Sequence, residues 1–91
     1  MFKLPAQLTI AQVSDCKVKL LIEIDENDVI SFDDSELTHI DTVGVQLLLA
    51  AVTYIVANNK ELIWSSTSSV IQKSVKKLGI NEAILNQYLN A

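Results

Sequence analysis

Ile40-Asp41-Thr42-Val43-Gly44-Val45-Gln46-Leu47-Leu48-Leu49 opens the most apolar stretch of the chain, and its reading decides the fold. Asp41 or Thr42 can serve as a helix N-cap, with Gly44 in the first turn. The stretch from Val43 to Ala57 is interrupted only by Gln46, Thr53 and Tyr54. As a helix it is about 22 Å long, shorter than the hydrocarbon core of a bilayer. It therefore reads as a helix packed on more than one side, or with one face left for a partner. Val43, Val45 and Gln46, near its start, are the side chains expected to meet that partner. Asn58-Asn59 ends it.

Upstream, Val29-Ile30-Ser31-Phe32 is β-branched or aromatic at three of four positions and bounded by polar residues, which predicts a central strand closed by Asp33-Asp34-Ser35-Glu36. Before it, Thr9-Ile10-Ala11-Gln12 has the form of a capping box, with Leu8 and Val13 placed as a hydrophobic staple. The helix it starts runs to about Asp25, with Val13, Cys16, Leu20 and Ile24 at helical spacing and a polar break at Asp25-Glu26-Asn27-Asp28. Pro5 ends a short extended segment, Phe2 to Leu4. Downstream, Leu62-Ile63-Trp64-Ser65 reads as a second inner strand. Ser69-Val70-Ile71-Gln72 repeats the capping box before a third helix with Ile71, Val75 and Leu78 inward and Gly79 at its end. Asn81-Glu82 caps a last helix to about Leu89. Strands alternating with helices over short connections predict an α/β sandwich: a small, mostly parallel sheet with about four helices.

Ninety-one residues suffice for one domain, 1–91, and not for two of at least about 50 residues each. A 49% hydrophobic composition supplies the dense core that so short a chain needs. One cysteine excludes an internal disulfide and a thiolate zinc cage, and points to a reducing compartment. A net charge of -4 gives no attraction to a phosphate backbone, so nucleic acid is not an expected partner. Met1-Phe2-Lys3-Leu4-Pro5 lacks the form of a secretory signal, and direct membrane insertion is not expected. The expected location is the cytoplasm.

The inventory argues against an enzyme. Cys16 falls in the apolar stripe of the first helix, and His39 lies 23 residues away in a loop. Asp33, Asp34 and Asp41 could together hold a cation or accept a phosphoryl group, but aspartates after strands and before helices more often bond free backbone amides. The two glycines, Gly44 and Gly79, are 35 residues apart and form no phosphate loop. No catalytic residue, metal site or cofactor is expected.

The strand ending in Asp33, Ser35 two positions on, Ile40-Asp41-Thr42-x-Gly44 opening an apolar helix, the strand at Leu62 and the helix end Leu78-Gly79-Ile80 together resemble the STAS family. That is the fold shared by anti-sigma factor antagonists and the cytoplasmic tails of sulphate transporters. The resemblance covers nearly the whole chain. It implies a non-catalytic switch module in which the hydroxyl residue after the motif aspartate, here Thr42, is phosphorylated by a serine/threonine kinase-type partner. Asp41, Thr42, Val43, Gly44, Val45 and Gln46 would then form the partner-binding segment, supported by the loop Asp33-Asp34-Ser35. The family's pair of N-terminal strands is reduced here to Phe2-Lys3-Leu4-Pro5, and threonine replaces the commoner serine. Those departures look more like the short stand-alone STAS proteins of bacterial chemotaxis or signalling clusters, or the STAS subunit that braces the ATPase of a lipid-transport ABC complex. The expected partner is accordingly an anti-sigma factor kinase, a chemotaxis or signalling protein, or an ABC ATPase. The apolar second helix leaves a homodimer open.

Overall fold

In the computed structural model, residues 1–64 are described, together with Val70, Ile71, Lys73 and Ser74. The element order is β1 (Phe2–Lys3), β2 (Gln7–Leu8), α1 (Ile10–Glu26), β3 (Val29–Asp33), β4 (His39–Ile40), α2 (Thr42–Ala57) and β5 (Glu61–Ile63). Three strands form one sheet in the order β1-β3-β5, and β2 pairs with β4 in a separate two-stranded ladder. Every pairing is parallel. The α/β architecture with a small parallel sheet is thus as the alternation predicts. Two complete helices are described. Val70, Ile71, Lys73 and Ser74 are helical, within the segment expected to open the third helix. Val75, Leu78, Gly79 and the last helix, Asn81 to Leu89, lie outside the described residues.

A strand with one face against a helical layer needs apolar side chains at alternating positions. In β3, Ile30 and Phe32 are buried while Val29 is exposed. The register sets Ile30 beside Leu62 and Phe2 beside Phe32. The same face carries an aromatic row: Phe2 and Phe32 have ring centroids 6.1 Å apart, and Phe32 meets Trp64 edge-on at 5.5 Å. Against the sheet pack Cys16, Leu20 and Ile24 of α1 and Val45, Leu48, Val52 and Ile55 of α2, all buried at three- or four-residue steps. Leu47 and Leu49 flank that stripe and are partly buried against the core, so most of the excess apolarity of α2 is used inside the domain.

Two local expectations change. The start of the chain forms two strands: Leu4 N–H bonds the Asp33 carbonyl at 2.8 Å, Pro5 turns the chain, and Gln7–Leu8 then pairs with His39–Ile40. His39 was expected to lie in a loop, and no strand was expected at Gln7–Leu8. Strands of two residues carry no readable alternation, and here Thr38 and His39 N–H groups anchored on the Ala6 carbonyl set the pairing. β5 begins one residue earlier than expected, at Glu61, whose N–H bonds the Asp28 carbonyl, and Trp64 is buried just beyond its end. The capping box expected at Thr9 is present, with the Gln12 Oε1 accepting both the Thr9 backbone N–H at 3.1 Å and its hydroxyl at 2.6 Å. The far end of α1 is met by Lys60, whose Nζ donates to the Ile24 carbonyl, a favourable place for a cation at a helix C-terminus.

Leu48 is fully buried at the centre of the α2 stripe. Leu48→Ala is expected to cost about 3 kcal/mol in urea unfolding. Val56→Ala, on the exposed side of the same helix, should cost under about 0.5 kcal/mol.

Candidate functional site

β2 and β4 lie side by side and parallel, and each feeds directly into a helix, so the N-termini of α1 and α2 emerge together. Each N-terminus presents unbonded backbone N–H groups and the positive end of a helix dipole. The carboxylate of Asp41, the N-cap of α2, serves both. Its Oδ1 accepts from Gly44 N–H at 2.9 Å, and its Oδ2 accepts from Ile10 N–H, at the start of α1, also at 2.9 Å. Its own backbone N–H reaches the Leu8 carbonyl at 3.3 Å, and its carbonyl accepts from Val45 at 3.0 Å. The bonds from Gly44 and then Ile10 hold the Asp41 carboxyl below its ordinary pKa of 3.8, keeping it ionised.

Gly44 is fixed by space. A Cβ at this position would fall on the Leu8 carbonyl oxygen and within 2.8 Å of Ile40 Cγ1. α2 can lie this close to β2 only without a side chain there, which gives the Asp-Thr-x-Gly spacing a physical cause: the aspartate caps, and the glycine two residues after Thr42 lets the helix dock.

Of the six residues expected to form the partner-binding segment, Thr42 and Gln46 are exposed, and Asp41 and Val43 are half-buried. Gly44 and Val45 are buried, Val45 with 1% of its surface exposed, so neither offers a side chain to a partner. The phase of α2 is the reason: Val45 shares the stripe of Leu48, Val52 and Ile55. Thr42 is the first helical residue, and the surface at this end of α2 consists of Thr42 with Gln46 one turn on.

The supporting loop divides. Asp33 Oδ1 accepts from Ser35 N–H at 3.0 Å, and the Ser35 hydroxyl and N–H together hold the Asp33 carboxyl below its usual range. Asp34 turns inward and is buried, with Trp64 Nε1 donating to its Oδ2 at 3.2 Å. It anchors the aromatic row and is not part of an exposed acidic loop. Among the described residues, no group of three or more His, Cys, Asp or Glu side chains is placed to hold a metal ion. Cys16 is buried in the core, which pushes its thiol pKa up, whereas His39 is exposed on β4. No helix among the described residues is long and apolar enough to cross a membrane.

Sequence reasoning missed Ile10 and Leu8. The contact between Asp41 and Ile10 spans 31 positions, and neither Ile10 N–H nor the Leu8 carbonyl is a side-chain feature, so no residue type signals them.

The family model described as STAS domain matches residues 1–90. No curated protein and no solved structure matches the chain significantly.

Because the Asp41 pKa is depressed by folding, its stabilising contribution is present above 3.8 and is lost as the pH falls through the lower folded value. Asp41→Asn should therefore be less stable than the native chain at neutral pH, and the two should converge in thermal melts as the pH falls below the depressed folded pKa of Asp41. A gap independent of pH would refute the bridging role of the charge. Gly44→Ala should lose about 2 kcal/mol, read from urea unfolding, as α2 is forced off β2.

Proposed function

The chain belongs to the STAS domain family, and from that premise we propose that it is a non-catalytic regulatory module whose binding to a protein partner is controlled by phosphorylation of Thr42. The observation that carries this reading is the setting of Thr42: it is exposed at the first position of α2, next to an aspartate whose carboxylate is fixed by two backbone N–H groups, on a surface continued by exposed Gln46. A hydroxyl there is open to a kinase. A phosphate would add about 1.5 to 2 negative charges beside Asp41.

The direction of the effect follows from the neighbours. A phosphate at a helix N-terminus is ordinarily absorbed by free N–H groups. Here Asp41 already takes the N–H of Gly44 and that of Ile10. An added charge beside Asp41 acts on whatever docks against Thr42 and Gln46, repelling an acidic surface and obstructing a tight one. The unmodified module binds, and the modified module releases. Anti-sigma factor kinases and the signalling proteins of chemotaxis clusters are the partner classes that this mode of control fits, in a cytoplasmic setting.

Intact-mass analysis of the protein from its native cells should find a fraction heavier by one phosphate, lost in Thr42→Ala. Thr42→Glu should weaken binding to the co-purifying partner by tenfold or more, on the order of 1.4 kcal/mol, while Thr42→Ala keeps it. Unchanged affinity in Thr42→Glu, with no phosphorylated fraction under any growth condition, would replace the switch by a constitutive role such as bracing the ATPase of an ABC-type lipid transporter.

A further inference from the structure

α1 carries a second surface, on a different helix from the Thr42 segment. Val18, Leu21 and Ile22 stand at i, i+3 and i+4 on its outer side, with 59%, 39% and 52% of their surfaces exposed. Single exposed apolar residues are ordinary, but three on adjoining helical positions form a patch. Tyr54 of α2, itself 38% exposed, borders it and donates to Asp25 Oδ1 at 3.3 Å.

The charges around the patch indicate what covers it. Lys17, Leu21 and Asp25 occupy successive i, i+4, i+8 positions and so form one ridge. A cation lies four residues before Leu21 and a carboxylate four residues after it. Such a ridge complements its own copy run in the opposite direction: a two-fold axis through Leu21 sets Lys17 of each chain beside Asp25 of the other, with Val18, Leu21 and Ile22 meeting between them. A parallel arrangement would set lysine against lysine and aspartate against aspartate. Both charged side chains are exposed, and Asp15, the acidic residue in the first half of α1, falls outside the ridge.

We propose that this face pairs with a second copy of the chain, as an antiparallel α1 to α1 contact centred on Leu21. One helix pair lies at the small end of interface sizes, so the dimer is weak, with a dissociation constant on the order of 100 µM.

Sedimentation equilibrium of the full chain, from about 10 µM to about 1 mM at low ionic strength, should show a monomer–dimer equilibrium in that range. Lys17→Asp and Asp25→Lys should each weaken it about tenfold, since each sets like charges together at both symmetric ends. The double variant Lys17→Asp/Asp25→Lys should regain dimers, and an equimolar mixture of the two single variants should form heterodimers. Ile22→Lys should abolish the dimer with the melting temperature unchanged, because the side chain is exposed in the monomer. Circular dichroism checks that each variant is folded. If Asp25→Lys disturbs the Tyr54 contact, Lys17→Asp and Ile22→Lys still decide the matter. A chain that stays monomeric throughout, which would give the patch to a different protein, overturns the proposal. So does a dimer indifferent to the charge reversals, or one lost in the folded single variants and not regained in the double.

Discussion

The carboxylate of Asp41, shared between the first N–H groups of two helices, is the constraint from which the rest of this end of the molecule follows. Two parallel strands that pair side by side and each lead straight into a helix bring two helix N-termini together. Their dipoles carry like partial charges at the meeting point, and their first N–H groups have no partners within the helices. One anion between them answers both problems. It must come from a residue at the start of one helix with reach to the other, which an aspartate at the N-cap of α2 has.

The glycine follows from the same geometry. Pairing β2 with β4 draws the Leu8 carbonyl over the first turn of α2, and the space that remains admits no Cβ at position 44. Asp41 and Gly44 are thus two consequences of one arrangement, capping and clearance, and each loses its reason without the other. Beyond the ends of β3 and β5 the chain solves a different problem with similar chemistry. Trp64 carries its indole N–H into the interior, and buried Asp34 accepts it. That bond lets a large aromatic ring complete the row begun by Phe2 and Phe32 without leaving a buried donor unpaired.

Much of this was legible from residue types alone. The apolar stripes of α1 and α2, β3 and the parallel order are periodic signals, and Asp41 announces itself as a cap by its position before an apolar run. The two-residue strands β2 and β4 were not legible, because pairing of that length rests on backbone groups that every residue has. The same is true of Ile10 as a partner of Asp41 and of Leu8 as the obstacle at Gly44. Val45 is a different case. It was taken for surface because it stands near the helix start, yet its spacing from Leu48, Val52 and Ile55 already marks it as inward. Helical phase outweighs distance from the terminus when the first turn lies against a strand. Asp34 shows the converse: an acidic loop looks exposed in sequence, and only the arrival of Trp64 from 30 positions away turns one of its members inward.

The shared carboxylate also bears on how charge can act at this site. A helix start with free N–H groups would draw in an added anion and soften its effect on the outside. At Thr42, Asp41 already bonds the N–H of Gly44, and its second oxygen is committed to α1. Moving Asp41 aside to admit another anion would uncover the first N–H of α1 as well, so the cap resists displacement with the strength of both helix starts. A second anion placed on Thr42 would therefore add to the charge of Asp41 and would not replace it. The segment that joins the two helices structurally is for that reason suited to present a change in surface charge while leaving the packing beneath it as it was.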